Sequence, residues 1–450
     1  MTAPYPAGPR TFLGIGTLRQ LRRHDLLALS ELLTARYGKL VHVRMFHKHM
    51  FFVSDPDLVA EVLGDDARTY DKIDTRSTIH HIAGDSLNTL RRDQGWAEKQ
   101  ALFERHLADS ARIEEVTVGE VDALIARWAA VAGSGRPVDA AVDLLRLTTG
   151  ITSLTFFRQG VDDVDFVELD AHKYRIVRAM LTRQLQLVRL PKSFDRRLVQ
   201  AVRYRDRLVA RVIERHLASD DRPDSYIADL VEKYDIRAAD RRAIRLTRGE
   251  ILSALYLGSD PFDKLLTKSL HYLGAHPQEV ERLRQDIGAL QAGDGLTLRS
   301  ASTLRSLRHF LLEVLRLRTP YAIIGREVLA THGLGGYRMP KGSLLAITPL
   351  IIHKDPDFWD RPETFDPSRF ETLSLATATH FVPFSSGERR CPGQGFAMRQ
   401  AMYILARIVR DFDVELIPGF DYSDEFMGVL GSRQPYRFVM RARERVAAAV

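Results

Sequence analysis

Apolar positions recur at helical spacing over most of this chain, and the exceptions are short, alternating runs near its start and in its last third. Residues 25–37 read as a helix closed by Gly38. Two short strands are expected at 40–45 and 50–53, separated by His47-Lys48-His49, and Asp55-Pro56-Asp57 then opens a helix through Val62-Leu63. The stretch 71–88 lacks clear periodicity and is expected to be a loop with at most a short helix, a length at which loops are often functional. Gly95-Trp96 opens a helix through His106. Residues 113–217 read as several long helices broken near Gly133-Ser134-Gly135, Gly160 and Pro191, with an arginine-rich amphipathic section at 175–215. Thr247-Arg248-Gly249-Glu250 has the capping-box pattern, so a long central helix is expected to start there and to stop at His276-Pro277. A further helix and an amphipathic one at 303–318 follow. Short strands and turns are then expected over 321–352, with a last strand region at 434–440.

Composition narrows the class without choosing a fold. A chain of 450 residues, 45% of them hydrophobic, can bury a large core and by length alone could form two or three domains. It contains one cysteine, which excludes an intramolecular disulfide framework and any cluster built on several thiolates. No run of about eighteen uncharged apolar residues occurs, and the N-terminus has no basic start followed by an apolar stretch. No membrane span and a soluble, cytoplasmic protein are therefore expected. The net charge of +7 suits an acidic protein partner or a membrane surface. Nucleic acid fits less well, because the basic residues are not interleaved with stacking aromatics.

The single cysteine stands in Phe384-Ser385-Ser386-Gly387-Glu388-Arg389-Arg390-Cys391-Pro392-Gly393, just before an apolar helical segment. A thiolate is the metal-binding form of cysteine, and a helix N-terminus beside two arginines favours it. Gly387 and Gly393 would let main chain approach a flat macrocycle, Phe384 would pack on its face, Pro392 suits a first helical turn, and Arg389 offers a cationic fork to a carboxylate. The spacing FxxGxRxCxG, followed by Gly395-Phe396-Ala397, resembles the cysteine-ligand loop of the cytochromes P450. Two more elements agree in order with that resemblance: Glu313-Val314-Leu315-Arg316 on one helix and Phe365-Asp366-Pro367-Ser368-Arg369-Phe370 downstream.

The resemblance implies a mainly α cytochrome P450 fold with a small β region, a single domain over 1–450 whose β-rich parts lie at about 38–54, 320–352 and 412–440. It implies haem b, with Cys391 as the iron ligand and Phe384, Gly387, Arg389, Gly393, Arg326 and Trp96 around the cofactor. Glu313, Arg316 and Arg369 would form a structural triad that supports the loop. Trp96 matches a family pattern in which an arginine four residues on reaches a haem propionate, but Gln100 stands there, leaving Lys99 or Arg92 as substitutes. Leu257, Gly258, Phe262, Ala322, Ile323 and Ile324 would edge a substrate pocket. The implied activity is oxidation of a hydrophobic small molecule in bacterial secondary metabolism, with electrons from a ferredoxin- or flavodoxin-type donor and its reductase.

One position departs from that pattern. Leu257-Gly258-Ser259-Asp260-Pro261-Phe262 has the expected acid at Asp260 but Pro261 where the family usually carries a threonine that helps deliver protons. Three readings stay open at this point. Ser259, Asp260, water or a substrate hydroxyl could serve the relay; hydrogen peroxide could be used directly; or the iron could do coupling, rearrangement or heteroatom oxidation. A non-catalytic haem sensor or electron carrier is the alternative of another class.

Overall fold

In this computed structural model, described over residues 4–9, 25–45, 48–64, 69–74, 84–160, 168, 172, 196–221, 223–291 and 295–443, helices surround one long helix and the strands gather at the edge. The strands are β1 (Leu40–Met45), β2 (Lys48–Val53), β3 (Tyr70–Asp71), β4 (Val138–Asp139), β5 (Ile324–Val328), β6 (His332–Leu334), β7 (Tyr337–Met339), β8 (Leu344–Ile347), β9 (Phe412–Leu416), β10 (Asp424–Phe426), β11 (Leu430–Ser432) and β12 (Arg437–Ala442). Five of them form a sheet in the order β1-β2-β8-β5-β3, with β4-β12-β9 and the hairpins β6-β7 and β10-β11 separate from it.

The first hairpin pairs Met45 with Lys48, so Lys48 and His49 belong to β2 and not to the turn expected from the sequence. Alternate residues of β2 serve two cores. Phe51 and Val53 pack with Val59, Val62 and Leu63 of the helix Pro56–Gly64, while Met50 and Phe52 pack with Leu29 and Leu33 of the helix Leu26–Tyr37. The period-2 pleat explains this, since successive side chains point to opposite faces.

The central helix is Arg241–Ala275, capped by Asp240, whose side chain accepts from the Ala243 N–H at 2.8 Å. It begins six residues before the expected start. Thr247 lies inside the helix, where its hydroxyl donates to the Ala243 carbonyl at 2.9 Å, so the capping-box pattern marked no boundary. Pro261 stands within the helix, which continues through it. On one side the helix packs against Ala140–Phe157, where a Cβ on Gly258 would come within 2.8 Å of Thr152 Cγ2. Below it lie the helices Arg305–Arg318 and Gln394–Asp411, joined in the largest apolar core. Much of the arginine-rich section expected at 175–215, and much of the loop at 71–88, lies outside the described residues. Among the described residues no helix is long and apolar enough to cross a membrane.

Candidate active site

The ten residues around Cys391 form a tight loop. The Cys391 N–H donates to the Phe384 carbonyl at 2.9 Å, Arg390 to Gly387 at 3.1 Å and Ser385 to Val382 at 3.1 Å. Gly393 caps the helix Gln394–Asp411, which leaves Pro392 just before the helix and not in its first turn. Cys391 is accessible, although protein atoms crowd its sulfur on most sides. Burial pushes the thiol up from its ordinary range, opposed by the N–H groups of Gly393 and Gln394 and by the charge of Lys72. Gly387 is required for a reason the sequence did not show. It has φ +69°, and a Cβ there would lie 1.9 Å from the Leu63 carbonyl oxygen, so it seats the loop on the end of the helix Pro56–Gly64. A Cβ on Gly393 would meet only the Cys391 sulfur, at 3.9 Å. Phe384 is half-buried against the largest core.

A charged cluster adjoins the loop. Pairing of β3 with β5, Asp71 opposite Glu327, brings Asp71 and Lys72 beside Arg326. Asp71 is buried and acts as a hub. Its Oδ1 accepts from Arg389 Nη2 and from the Lys72 N–H, both at 2.7 Å, and its Oδ2 accepts from the Arg92 N–H at 3.0 Å. Arg389 also lies over the Trp96 ring, 3.9 Å from its centroid, and donates to the Leu90 carbonyl at 3.1 Å. Its buried Nε finds no partner among the described residues. Arg326 is buried with its Nη1 on the Gly325 carbonyl, and burial followed by the Arg389 charge lowers it to about 10. Lys72 is lowered to about 7, by burial first and then by Arg326 and Arg389.

Among the described residues, two buried arginines and Lys72, itself lowered to about 7, thus gather around one carboxylate, an imbalance that asks for one to two further negative charges. The two carboxylates of a haem fit that demand. Neither substitute expected for the absent arginine at position 100 is free: Lys99 is ion-paired with the buried Glu250, and Arg92 with Glu388. Sequence reasoning missed Asp71 and Lys72 because the two-residue strand that places them carries no periodicity.

On the central helix, Leu257 and Pro261 are half-buried and share one face, four residues apart. The Ser259 hydroxyl turns back to the Leu255 carbonyl at 2.5 Å. Asp260 is buried, 3.5 Å from Lys264, whose Nζ also donates to Asp263 at 3.1 Å. The other expected pocket residues are distributed over several places. Phe262 is in the main core, Gly258 faces Thr152, and Ala322 is fully buried in a small apolar cluster with Leu27 and Leu350. Ile323 and Ile324 are half-buried at the start of β5. Tyr321 was not expected. Its phenol is raised by burial and then by the charges of Asp260 and Cys391, which puts its hydroxyl within electrostatic reach of both helix and loop.

Behind the loop, Glu313 and Arg316 are fully buried. Arg316 donates to both carboxylate oxygens of Glu313, at 2.7 and 2.8 Å, and to the carbonyls of His353, Pro362 and Thr364 at 2.9, 2.7 and 3.1 Å. Arg369 approaches Glu313 at 3.5 Å, and the Asp366 N–H donates to it at 2.9 Å. His353 Nε2 accepts from the Val382 N–H at 3.0 Å, which links this group to the residues that begin the cysteine loop.

The sequence is similar to known proteins over nearly its whole length. The sequence profile described as Cytochrome P450 matches residues 6–440. Cyclooctatin synthase of Streptomyces melanosporofaciens is 28% identical over 399 residues, 85% of this chain and 84% of that protein. Pentalenene oxygenase of Streptomyces avermitilis is 24% identical, covering 95% of each. The solved structure of retinoic acid bound cyanobacterial CYP120A1 superposes with a TM-score of 0.81 over 98% of this chain and all of that one, at 21% identity.

Proposed function

The chain belongs to the cytochrome P450 family and is a haem-thiolate monooxygenase-type oxidoreductase, and on that premise we propose that it oxidises a largely hydrocarbon, terpene-like small molecule in bacterial secondary metabolism. The relatives named cyclooctat-9-en-7-ol 5-monooxygenase and pentalenene oxygenase support that substrate class. The observation that carries the reading is the family match over residues 6–440 together with Cys391 on its hydrogen-bonded loop before the helix Gln394–Asp411. The family match over residues 6–440 supports treating the chain as one unit.

The cofactor is proposed to be haem b, which when bound supplies an iron whose thiolate ligand favours O–O cleavage. Cys391 would hold it, with Phe384 at its face. Lys72, Arg326 and Arg389 would hold its carboxylates, and Trp96 keeps Arg389 in place by stacking. Glu313, Arg316 and Arg369 are proposed to brace the loop without touching reactants. Among the described residues, the Asp260 carboxyl, held by Lys264, and the Tyr321 hydroxyl are the proton-bearing groups proposed to serve the reaction. Neither Ser259 nor Pro261 can serve, for one has its hydroxyl bound to Leu255 and the other has none.

Electrons are proposed to come from NAD(P)H through a reductase and a ferredoxin- or flavodoxin-type donor, a partner suited to the +7 net charge. The lack of an alcohol at position 261 favours peroxide as a second reading. Turnover of a terpene-type library with a reductase system in one arm and hydrogen peroxide alone in the other decides between them. Product in the first arm supports the monooxygenase reading, product only in the second supports the peroxide one, and no product in either overturns both.

A further inference from the structure

On the surface, away from the cysteine loop, the ends of three helices enclose a small cavity of about 50 Å³. The helix Trp96–Leu107 brings Arg105 and His106 to it, the start of Ser110–Val131 brings Arg112, and the end of Ala140–Phe157 brings Thr155 and then Arg158. Asp109 and Asp224 complete the rim. By volume it admits three or four waters or one tetrahedral oxyanion, at about 10–15 Å³ of accessible space per water.

The buried part of the lining is short of acceptors. Thr155 is 4% exposed, and its Oγ1, together with Arg112 Nε and Arg158 Nη1, finds no hydrogen-bond partner among the described residues. Leaving such groups dry is costly, so an acceptor is expected at the cavity. The rest of Arg158 is already committed: its Nε donates to the Asp224 carbonyl at 2.9 Å, and its Nη2 lies 3.5 Å from Asp109.

The choice between a cation and an anion follows from what the acids already do. His106 is bonded to Asp229 at 2.6 Å, and Arg105 is paired with Asp229 and lies 3.8 Å from Asp224, so the acidic side is neutralised. The side chains of Asp109 and Asp224 are 47% and 84% exposed and screened by water, whereas that of Arg158 is 16% exposed. The unsatisfied inner groups are donors. We propose that this cavity binds a phosphate-type oxyanion, free or as the phosphoryl end of a metabolite, held by Arg112, Thr155 and Arg158.

The test uses the full-length haem protein and titration calorimetry at matched ionic strength, with inorganic phosphate, glycerol 3-phosphate, acetate and chloride as probes. Phosphate should bind one to one, and Arg158→Gln and the isosteric Thr155→Val should each weaken it about tenfold. Arg237→Gln, a remote exposed arginine, should not. Binding of the ester as tightly as the free ion says the cavity takes a phosphoryl end, and binding of the free ion alone says it takes inorganic phosphate; both support the site. Absence of phosphate binding, an equal response to acetate or chloride, or undiminished binding in Thr155→Val would overturn it.

Discussion

Exchanging sulfur for oxygen at position 391 changes one atom and leaves the loop's main-chain bonds intact. Cys391→Ser is therefore expected to fold but to lose the strongly red-shifted Soret band of the reduced carbon monoxide complex, read by difference spectroscopy. A retained band would remove the ligand assignment. Lys72 offers a test of the charged cluster that does not depend on turnover. If it holds a haem carboxylate, Lys72→Met should release haem to apomyoglobin about ten- to a hundredfold faster, since a hydrogen bond to a charged group contributes about 1.5–3 kcal/mol. Cys391 and Arg389 were legible from the sequence because their spacing is fixed on one loop. Lys72 was not, since it reaches the site only through the pairing of Asp71 with Glu327, 256 positions apart in sequence.

The helix Arg305–Arg318 carries the acid that two arginines and a backbone N–H share. Removing one partner of a fully buried ion pair costs about 3–5 kcal/mol, so Glu313→Ala should lower urea stability by that order and yield protein with little haem. Arg369→Gln should be milder, because Arg369 is only partly buried and stands 3.5 Å away. Acid should act through His353, whose ring is lowered to about 3 from 6.5 by burial and then by the Arg316 charge. As pH falls below 6.5 the unfolded chain takes up the proton first. The stability this residue contributes is thus complete above 6.5 and drains toward pH 3 by up to about 1.4 kcal/mol per unit. Urea unfolding at pH 7 and pH 5 should show a smaller difference in His353→Gln than in the wild type. On the central helix, Pro261→Thr restores an N–H and a hydroxyl, and is expected to change the fraction of electrons that reach product. The course of this helix was legible from its apolar spacing. Its start was not, because Thr247 and Glu250 imitate a cap while Asp240, the actual cap, precedes a run of arginines that hides the boundary. Phe262 packs in the main core, and only the packing of helix on helix shows which side of the helix each residue occupies.

For the whole molecule, the order of elements was readable because three motifs fell in one sequence, while the two-residue strands β3 and β4 were not. Such strands are made by their partners: β4 exists because Val138 and Asp139 meet Phe438 and Arg437, about 300 residues on. The same long-range pairing sets the order in which the molecule can be completed. Arg316 has donors for Glu313 on its own helix, but three of its bonds go to carbonyls at 353, 362 and 364, which leave the ribosome later. Until those carbonyls have wrapped around it, the guanidinium has no dry place to sit. The seat for the cysteine can then be finished only in the closing stage of synthesis, so a full-length chain should take up pigment only once the cage around Arg316 has closed.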